Sequence, residues 1–270
     1  MNTQRGFAAV NGTRLYYEIA GSGPPLVLIH GHGLDCRMWD DQFAPFAAHH
    51  RVVRYDLRGF GKSDPVGDTM YAHEDDLAAL LDHLEIARAM ILGLSAGGSV
   101  AINFALTYPA MARALIVVDT ALGGHAWSEN WNARWKALRQ TARAGGAPAA
   151  NEGWLAHPLF APANEHPAVA TRLRQMIADY SGWHWGTRDP QRGHEPPAAE
   201  RLGEIATPTL VMLGERDLPD YHAIADRIAE QIPSPTARKI ILPGVGHMAN
   251  MEAPERFNAE VLHFLANRVA

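Results

Sequence analysis

A serine stands where an apolar segment of the chain gives way to small residues. Residues 93–97 read G-L-S-A-G, and helical spacing of apolar residues begins directly after Ser95. A strand that turns sharply into a helix needs small neighbours, which the two glycines of this pattern supply. Such a turn lifts the serine hydroxyl above the strand end, beside the N–H groups of a helix N-terminus. The pattern predicts that Ser95 is a nucleophile; the alternative is a glycine-rich turn with a bystander serine.

A serine hydroxyl is a poor nucleophile unless a base takes its proton, and histidine is the usual base. The chain has 14 histidines, so their presence alone decides nothing. His247 is the best candidate because residues 243–246, P-G-V-G, place it in a loop directly after the last apolar run. Loops at the carboxyl ends of strands are where open α/β sheets carry their chemistry. We therefore predict that His247 is the base for Ser95.

An acid must orient the histidine and stabilise its charged form. Asp217 lies just past another apolar run, and the chain order Ser95, Asp217, His247 is an order known for such sites. Glu215 lies close to Asp217 in the chain and is a rival. Asp119, at the end of an earlier apolar run, is a second rival. We favour Asp217.

Two further patterns could indicate a metal site or a phosphate-binding loop. His30 and His32, with Asp35 nearby, suggest a metal site, but their spacing matches no common paired-histidine signature, and we predict no metal. Residues 59–63, G-F-G-K-S, end like a phosphate-binding loop, but Asp56 stands where that loop needs its first glycine. A G-x-G-x-x-G segment that opens a helix is missing, so a dinucleotide site is unsupported.

Composition excludes several classes of protein. The 270 residues are 47% hydrophobic and 20% charged, and the formal net charge is −5 without a basic run that would bind nucleic acid. Cys36 is the sole cysteine, so an intrachain disulfide is excluded and a reducing compartment is favoured. Residues 1–6 lack the apolar run of a signal peptide, and no apolar stretch approaches the length of a membrane span. These features predict a cytoplasmic protein that does not bind membranes.

The elements that must position these side chains alternate between strands and helices. An initial hairpin is predicted for residues 7–19, with its turn at Asn11 and Gly12. Short runs rich in Val and Ile predict strands buried in a parallel sheet, and longer segments at helical spacing predict the helices that flank it. The strands are predicted at 26–29, 52–55, 90–94, 115–118, 209–213 and 239–242, and the helices at 75–84, 96–106, 221–232 and 254–269.

One long stretch interrupts this alternation. Residues 121–206 contain no convincing strand, and helical patterns dominate them, with a loop predicted at 182–197. We predict that residues 121–206 form a helical lid inserted into a core domain of residues 1–120 and 207–270.

Six of the seven tryptophans fall between Trp127 and Trp185, within this lid. Trp127, Trp131 and Trp135 recur every four residues and are predicted to share one helix face. Aromatic residues at this spacing usually fasten a helix to the body of a protein. The alternative is an aromatic-lined pocket, in which Trp131, Trp135 and Trp154 bind substrate.

Together these segments resemble the α/β-hydrolase superfamily, and the resemblance covers nearly the whole chain. Residues 56–63, D-L-R-G-F-G-K-S, are similar to a structural turn of this family, in addition to the G-x-S-x-G segment. Residues 30–39, H-G-H-G-L-D-C-R-M-W, are most similar to bacterial aryl esterases, cofactor-free haloperoxidases and enol-lactonases. The enol-lactonases usually have Ser-Asn in place of His30 and Gly31, a departure that puts a dicarboxylate lactone substrate in doubt.

The resemblance implies a mainly parallel eight-stranded sheet with an N-terminal antiparallel hairpin, flanking helices and a helical lid. It also implies that the backbone N–H groups of His32 and Ala96 form the oxyanion hole. No cofactor is expected.

The predicted function is hydrolysis of a small carboxylic ester or lactone by Ser95, Asp217 and His247. One alternative is hydrolysis of a carbon–carbon bond by the same residues, and another is a low-turnover receptor for a small molecule. Peroxide-dependent perhydrolysis is a side activity suggested by the resemblance. The expected partner is the small-molecule substrate, and homo-oligomerisation stays open.

Overall fold

The chain begins with the predicted antiparallel hairpin. In the computed structural model, which describes residues 2–233 and 237–268, β1 (Thr3–Val10) pairs with β2 (Thr13–Ala20). Val10 lies opposite Thr13, so the turn contains only Asn11 and Gly12, both with positive φ (46° and 71°). Two-residue turns of this kind follow the twist of the strands that they join, which explains the Asn-Gly sequence.

A mainly parallel sheet follows the hairpin. The eight strands lie in the order β1-β2-β4-β3-β5-β6-β7-β8; the first three pair antiparallel, and every pair from β4 to β8 is parallel. The expected eight-stranded sheet with an N-terminal hairpin is confirmed. Its later strands are β3 (Pro25–Ile29), β4 (Arg51–Tyr55), β5 (Ala89–Leu94), β6 (Ala112–Val118), β7 (Thr209–Gly214) and β8 (Arg238–Leu242).

Helices connect the strands and flank the sheet, as parallel pairing requires. Every residue of β5 and β7 is buried, which accounts for the apolar runs that predicted them. The predicted helix 254–269 is described as far as residue 268, and Val269 lies outside the described residues. The helices are α1 (Asp40–Ala47), α2 (His73–His83), α3 (Ala96–Thr107), α4 (Glu129–Leu155), α5 (Ala161–Asn164), α6 (Pro167–Asp179), α7 (Trp183–Gly186), α8 (Ala198–Arg201), α9 (Pro219–Gln231), α10 (Ala249–Glu252) and α11 (Pro254–Arg268).

The carboxyl ends of the central strands are level with one another. Leu94 at the end of β5 pairs with Val118 of β6, and Val118 pairs with Met212 of β7. Gly214, the last residue of β7, pairs with Leu242, the last residue of β8. The segments that follow β5, β6, β7 and β8 therefore emerge at one edge of the sheet. Because the predicted site residues lie in these segments, this edge is where they can meet.

Between β6 and β7 the chain is helical. None of the sheet's eight strands lies within residues 121–206, all of which the structure describes. The long helix α4 is kinked at Gly146, whose φ is 77°. Trp127 lies before this helix, because Ser128 is its N-cap residue, so the expectation that Trp127 shares a helix with Trp131 and Trp135 was wrong. Within the described residues, no helix combines the length and apolar character that crossing a membrane requires.

Candidate active site

Ser95 occupies a strained turn between β5 and α3. Its backbone has φ 57° and ψ −118°, a conformation that non-glycine residues rarely adopt. The glycines on either side permit this turn: a Cβ on Gly93 would come within 2.1 Å of the Gly97 carbonyl oxygen, and a Cβ on Gly97 within 2.3 Å of the Ile29 carbonyl oxygen. The Ser95 amide donates to the Val118 carbonyl at 2.9 Å. The turn therefore holds Ser95 at the carboxyl edge of the sheet, next to the end of β6.

His247 and Asp217 meet at the same edge. The His247 Nδ1 atom lies 2.8 Å from Asp217 Oδ2, and both side chains are almost completely buried. The second carboxylate oxygen of Asp217 accepts the Leu218 amide at 2.7 Å, which holds the carboxylate in place. His247 Nε2 is buried and has no hydrogen-bond partner in the described residues. A neutral imidazole that donates from Nδ1 to Asp217 leaves Nε2 as a proton acceptor, the arrangement that a general base needs.

The two rival acids are engaged elsewhere. Glu215 accepts the Gly244 amide at 2.7 Å and so ties together the loops after β7 and β8. Asp119 accepts the Gly214 amide at 2.7 Å through Oδ1, and its Oδ2 has no partner in the described residues. Oxygens of Asp119 and Asp217 nevertheless lie within 4.8 Å of each other and of a His247 ring nitrogen. Asp217 is the carboxylate in hydrogen-bond contact with the His247 ring.

Asp119 is a buried carboxyl group beside a second carboxylate. Burial raises the pKa of its carboxyl group well above the ordinary value, and the neighbouring Asp217 carboxylate acts in the same direction. The Gly214 amide has the opposite, smaller effect. Two adjacent buried carboxyl groups are favourable only when they share a proton. A neutral Asp119 can lie beside Asp217 without repelling the charge that faces His247.

We expect Asp119→Asn to stabilise the protein increasingly as the pH rises. A carboxyl group whose pKa is higher in the folded than in the unfolded protein lowers the free energy of unfolding once the pH exceeds the unfolded value. Asparagine removes this loss, can still accept the Gly214 amide, and tolerates the positive φ of 42° at this position. Urea unfolding at pH 5 and pH 8 tests the expectation, with the exposed Asp68→Asn as control. A difference from wild type that does not grow with pH would contradict it.

The segment of residues 30–33 lies directly against Ser95. A Cβ on Gly31 would stand 3.4 Å from the Ser95 Cβ, so glycine permits this approach. His32, Ala96 and Ser95 all line one cavity, which is compatible with oxyanion donors at the amides of His32 and Ala96.

Both ring nitrogens of His30 are used within the fold. Its Nδ1 lies 2.8 Å from the Gly31 carbonyl, and its Nε2 accepts the Leu57 amide at 3.0 Å. Burial lowers the pKa of His30, in keeping with a neutral ring. These bonds leave His30 no free nitrogen for the metal site that His30 and His32 first suggested.

A second group of metal-type ligands consists of Asp35, Cys36 and Asp56, whose donor atoms lie within 4.8 Å of one another. Asp56 already accepts the amides of Cys36 and Lys62, each at 2.8 Å. Asp35 pairs with the Arg37 guanidinium at 2.6 Å. The carboxylates of this group are therefore bound to N–H donors of the chain itself.

A cavity of about 610 Å³ opens beside Ser95. Trp131, Trp135 and Trp154, the three tryptophans predicted to bind substrate, all line it. The Trp131 ring stacks on the Trp127 ring at a centroid distance of 4.5 Å. The Trp131 side chain therefore both packs against a neighbouring ring and lines the cavity.

His32 extends into an aromatic surround of this cavity. Burial lowers the pKa of His32 well below its ordinary value, and His184 acts in the same direction, so its ring is neutral. Ring centroids of its neighbours lie 5.1 to 5.9 Å away; they are Phe60, Trp135, Trp154, Tyr180, His184 and Trp185.

Sequence reasoning missed Tyr221. Its ring lies 4.5 Å from the His247 ring, and its side chain lines the cavity with Ser95. Burial raises the pKa of Tyr221 well above its ordinary value, Asp217 reinforces the effect, and the neighbouring Ser95 hydroxyl opposes it. Tyr221 is the third residue of α9, four residues after Asp217. That spacing from the predicted acid, at a helix start, was the signal that could have found it.

Comparison with known proteins identifies the family of this chain. Residues 26–260 match the model of a family described as the alpha/beta hydrolase family. The chain belongs to this family.

Individual relatives of this alpha/beta hydrolase act on different substrates. It is 34% identical to the dihydrolipoyllysine-residue acetyltransferase component of an acetoin cleaving system from Pseudomonas putida, over 96% of this chain and 68% of that protein. It is similar to the enol-lactonase of Burkholderia xenovorans LB400 (28% identity, TM-score 0.81, 97% of this chain and 100% of that one). It is also similar to a thermophilic esterase from Thermogutta terrifontis (26% identity, TM-score 0.79, 99% and 100%). These similarities are consistent with an ester hydrolase.

Proposed function

We propose that this alpha/beta hydrolase cleaves a small carboxylic ester or lactone through an acyl-enzyme on Ser95. The observation that carries the proposal is the 2.8 Å contact between His247 Nδ1 and Asp217, which leaves the buried Nε2 free. A free imidazole nitrogen at the same edge of the sheet as a serine in a strained turn fits nucleophilic catalysis. The enol-lactonase and esterase relatives support the choice of substrate class.

In the first step, Ser95 Oγ attacks the ester carbonyl carbon and its proton passes to His247 Nε2. The carbonyl π electrons move to the oxygen, and the resulting oxyanion accepts from the amides of His32 and Ala96. Collapse of this intermediate breaks the bond to the alkoxy group, which takes the proton from His247 and leaves as the alcohol. In a lactone the alcohol stays attached to the acyl group.

In the second step, water attacks the acyl-enzyme while His247 takes one of its protons. The second tetrahedral intermediate expels Ser95 Oγ, which recovers a proton from His247, and the carboxylic acid is released. Asp217 stabilises the charged imidazole in both steps and keeps Nε2 directed at the reacting atoms. All of these proton transfers use residues of this chain, and no metal or organic cofactor is required.

We further propose that residues 121–206 act as a lid over this site, inserted into the core of residues 1–120 and 207–270. The proposal is supported by the cavity, whose lining combines Ser95 of the core with tryptophans of the inserted segment. Contacts across the junction also support it: the Ser128 hydroxyl donates to Asp220 at 2.7 Å, and Arg172 pairs with Asp41 at 2.6 Å. Such a lid would exclude water from the acyl-enzyme and shape the substrate pocket.

A substrate panel tests the proposed function. Purified protein is assayed with 4-nitrophenyl acetate and butyrate, with γ- and δ-lactones, and with a vinylogous diketone. We expect multiple turnovers on esters or lactones. Turnover confined to the diketone would replace the proposal by carbon–carbon bond hydrolysis, and a reaction that stops after about one turnover per molecule would favour a receptor.

A further inference from the structure

The wall of the cavity beside Ser95 carries positive charge. Lys136, Arg139 and Arg143 line it, whereas neither Asp nor Glu occurs among its lining residues in the described part of the chain. The chain as a whole has 29 acidic residues against 24 Lys and Arg. The positive wall is therefore a local arrangement that runs against the overall composition.

These three cations have no acidic partner within the described residues, where neither an ion pair nor a hydrogen bond of their side chains is found. Two other arginines of the 121–206 segment do have acidic partners: Arg172 pairs with Asp41 at 2.6 Å and Arg192 with Asp75 at 2.8 Å. Positive charges that line a concave, partly apolar surface without an acid raise the local concentration of anions. An anionic ligand would supply the negative charge that this wall lacks.

Arg139 and Arg143 lie where two cavities meet. A second cavity of about 540 Å³ shares Trp135, Arg139 and Arg143 with the first. Its one acidic lining residue in the described chain, Asp189, already faces His184 Nε2 at 3.5 Å. Arg139 lies eight residues beyond Trp131 on α4, or about 12 Å along the helix axis. Ser95 and Arg139 line the same cavity, so one bound substrate can contact both.

We propose that the substrate carries a carboxylate group at the end remote from its ester or lactone bond. Arg139 and Arg143 bind this carboxylate. The guanidinium group matches a carboxylate with two parallel N–H···O bonds, which makes arginine suited to this role. The inference rests on the proposed ester hydrolysis and specifies its substrate class.

The test compares two esters that differ only in charge: mono-4-nitrophenyl suberate, with a free carboxylate, and its methyl ester. The ratio of kcat/KM for the acid to kcat/KM for the methyl ester is measured for wild type and for Arg139→Gln/Arg143→Gln. We expect this ratio to fall about 10–100-fold in the variant, mainly through KM. The control is Arg134→Gln/Arg256→Gln, which removes two exposed charges that line neither cavity; its ratio should match wild type.

A ratio that is the same in the test variant and in wild type would overturn the carboxylate site and leave the proposed ester hydrolysis standing. If folded wild-type protein hydrolyses neither these esters nor any ester or lactone of the substrate panel, the proposed function fails instead. Binding of suberate, measured by calorimetry, then tests the carboxylate site independently of hydrolysis. Binding that is lost in Arg139→Gln/Arg143→Gln and kept in the control supports the carboxylate site, and an absence of suberate binding to wild type overturns it.

Discussion

Ser95→Ala is expected to abolish ester hydrolysis while the protein stays folded. Alanine lacks the hydroxyl that forms the acyl-enzyme, so both proposed steps are lost together. In serine hydrolases the loss of the nucleophile lowers kcat by about 10⁶-fold, and the remaining rate comes from substrate binding and oxyanion donors. We expect a decrease of at least about 10⁴-fold in kcat/KM for the best ester of the panel. Initial rates at matched enzyme concentration provide the measurement.

Ser99→Ala is the matched control for this substitution. Ser99 lies on the same helix, α3, one turn beyond Ser95, and does not line the cavity beside it. We expect Ser99→Ala to keep wild-type activity, and both variants to keep the wild-type melting temperature within a few degrees. Retention of ester hydrolysis by folded Ser95→Ala would remove Ser95 from the mechanism.

Asp217→Asn is expected to have the second-largest effect, a decrease of about 10⁴-fold in kcat. An asparagine that donates its amide N–H to His247 Nδ1 favours the ring tautomer with the proton on Nε2. That tautomer cannot accept the Ser95 proton, although the geometry of the site is kept. The same assay measures the effect, and circular dichroism checks that the variant is folded.

Asp119→Asn is the control that decides between the two neighbouring acids. Burial and the neighbouring Asp217 raise the pKa of Asp119 and so favour its neutral form, which an uncharged asparagine resembles. We expect its activity to stay within about tenfold of wild type, far above that of Asp217→Asn. If Asp119→Asn lost activity as severely as we expect for Asp217→Asn, and Asp217→Asn did not, the acid would have to be reassigned to Asp119.

The parts of the fold that local patterns determine were predictable from the sequence. Asn11 and Gly12 predicted a two-residue turn because few residues tolerate its positive φ angles, and the hairpin has that turn. The apolar runs predicted the parallel strands to within a few residues, because a strand covered on both faces cannot alternate. The expectation of burial was wrong for β8, which lies at the edge of the sheet and is largely exposed. The α/β-hydrolase sheet and the family membership were confirmed on this basis.

The arrangement of side chains around the site was less accessible. Asp119 and Asp217 are 98 positions apart in the chain, and their proximity depends on the register of β6 against β7, which no local pattern specifies. Tyr221 read only as a helix residue: its position four residues after Asp217 hinted at the site, but the packing of its ring against His247 is a tertiary contact.

The inserted segment shows the same limit. The four-residue spacing of Trp127, Trp131 and Trp135 predicted one helix face, but Ser128 caps the helix and places Trp127 outside it. The Trp127 ring nevertheless stacks on the Trp131 ring, because tertiary packing, and not helical spacing, brings the two side chains together. The positive wall formed by Lys136, Arg139 and Arg143 was not predicted from the sequence either, since basic residues on an exposed helix face usually contact solvent.

Covalent labelling shows whether the Ser95 hydroxyl acts as a nucleophile at this site. The protein is treated with a 4-nitrophenyl alkylphosphonate, which an activated serine attacks at phosphorus with loss of 4-nitrophenolate. Intact-mass and peptide mass spectrometry then count and locate the adduct. We expect one phosphonyl group per chain, on Ser95, and none in His247→Ala, which lacks the base. If the wild-type protein stays unlabelled, or is labelled at another residue, Ser95 is not the nucleophile.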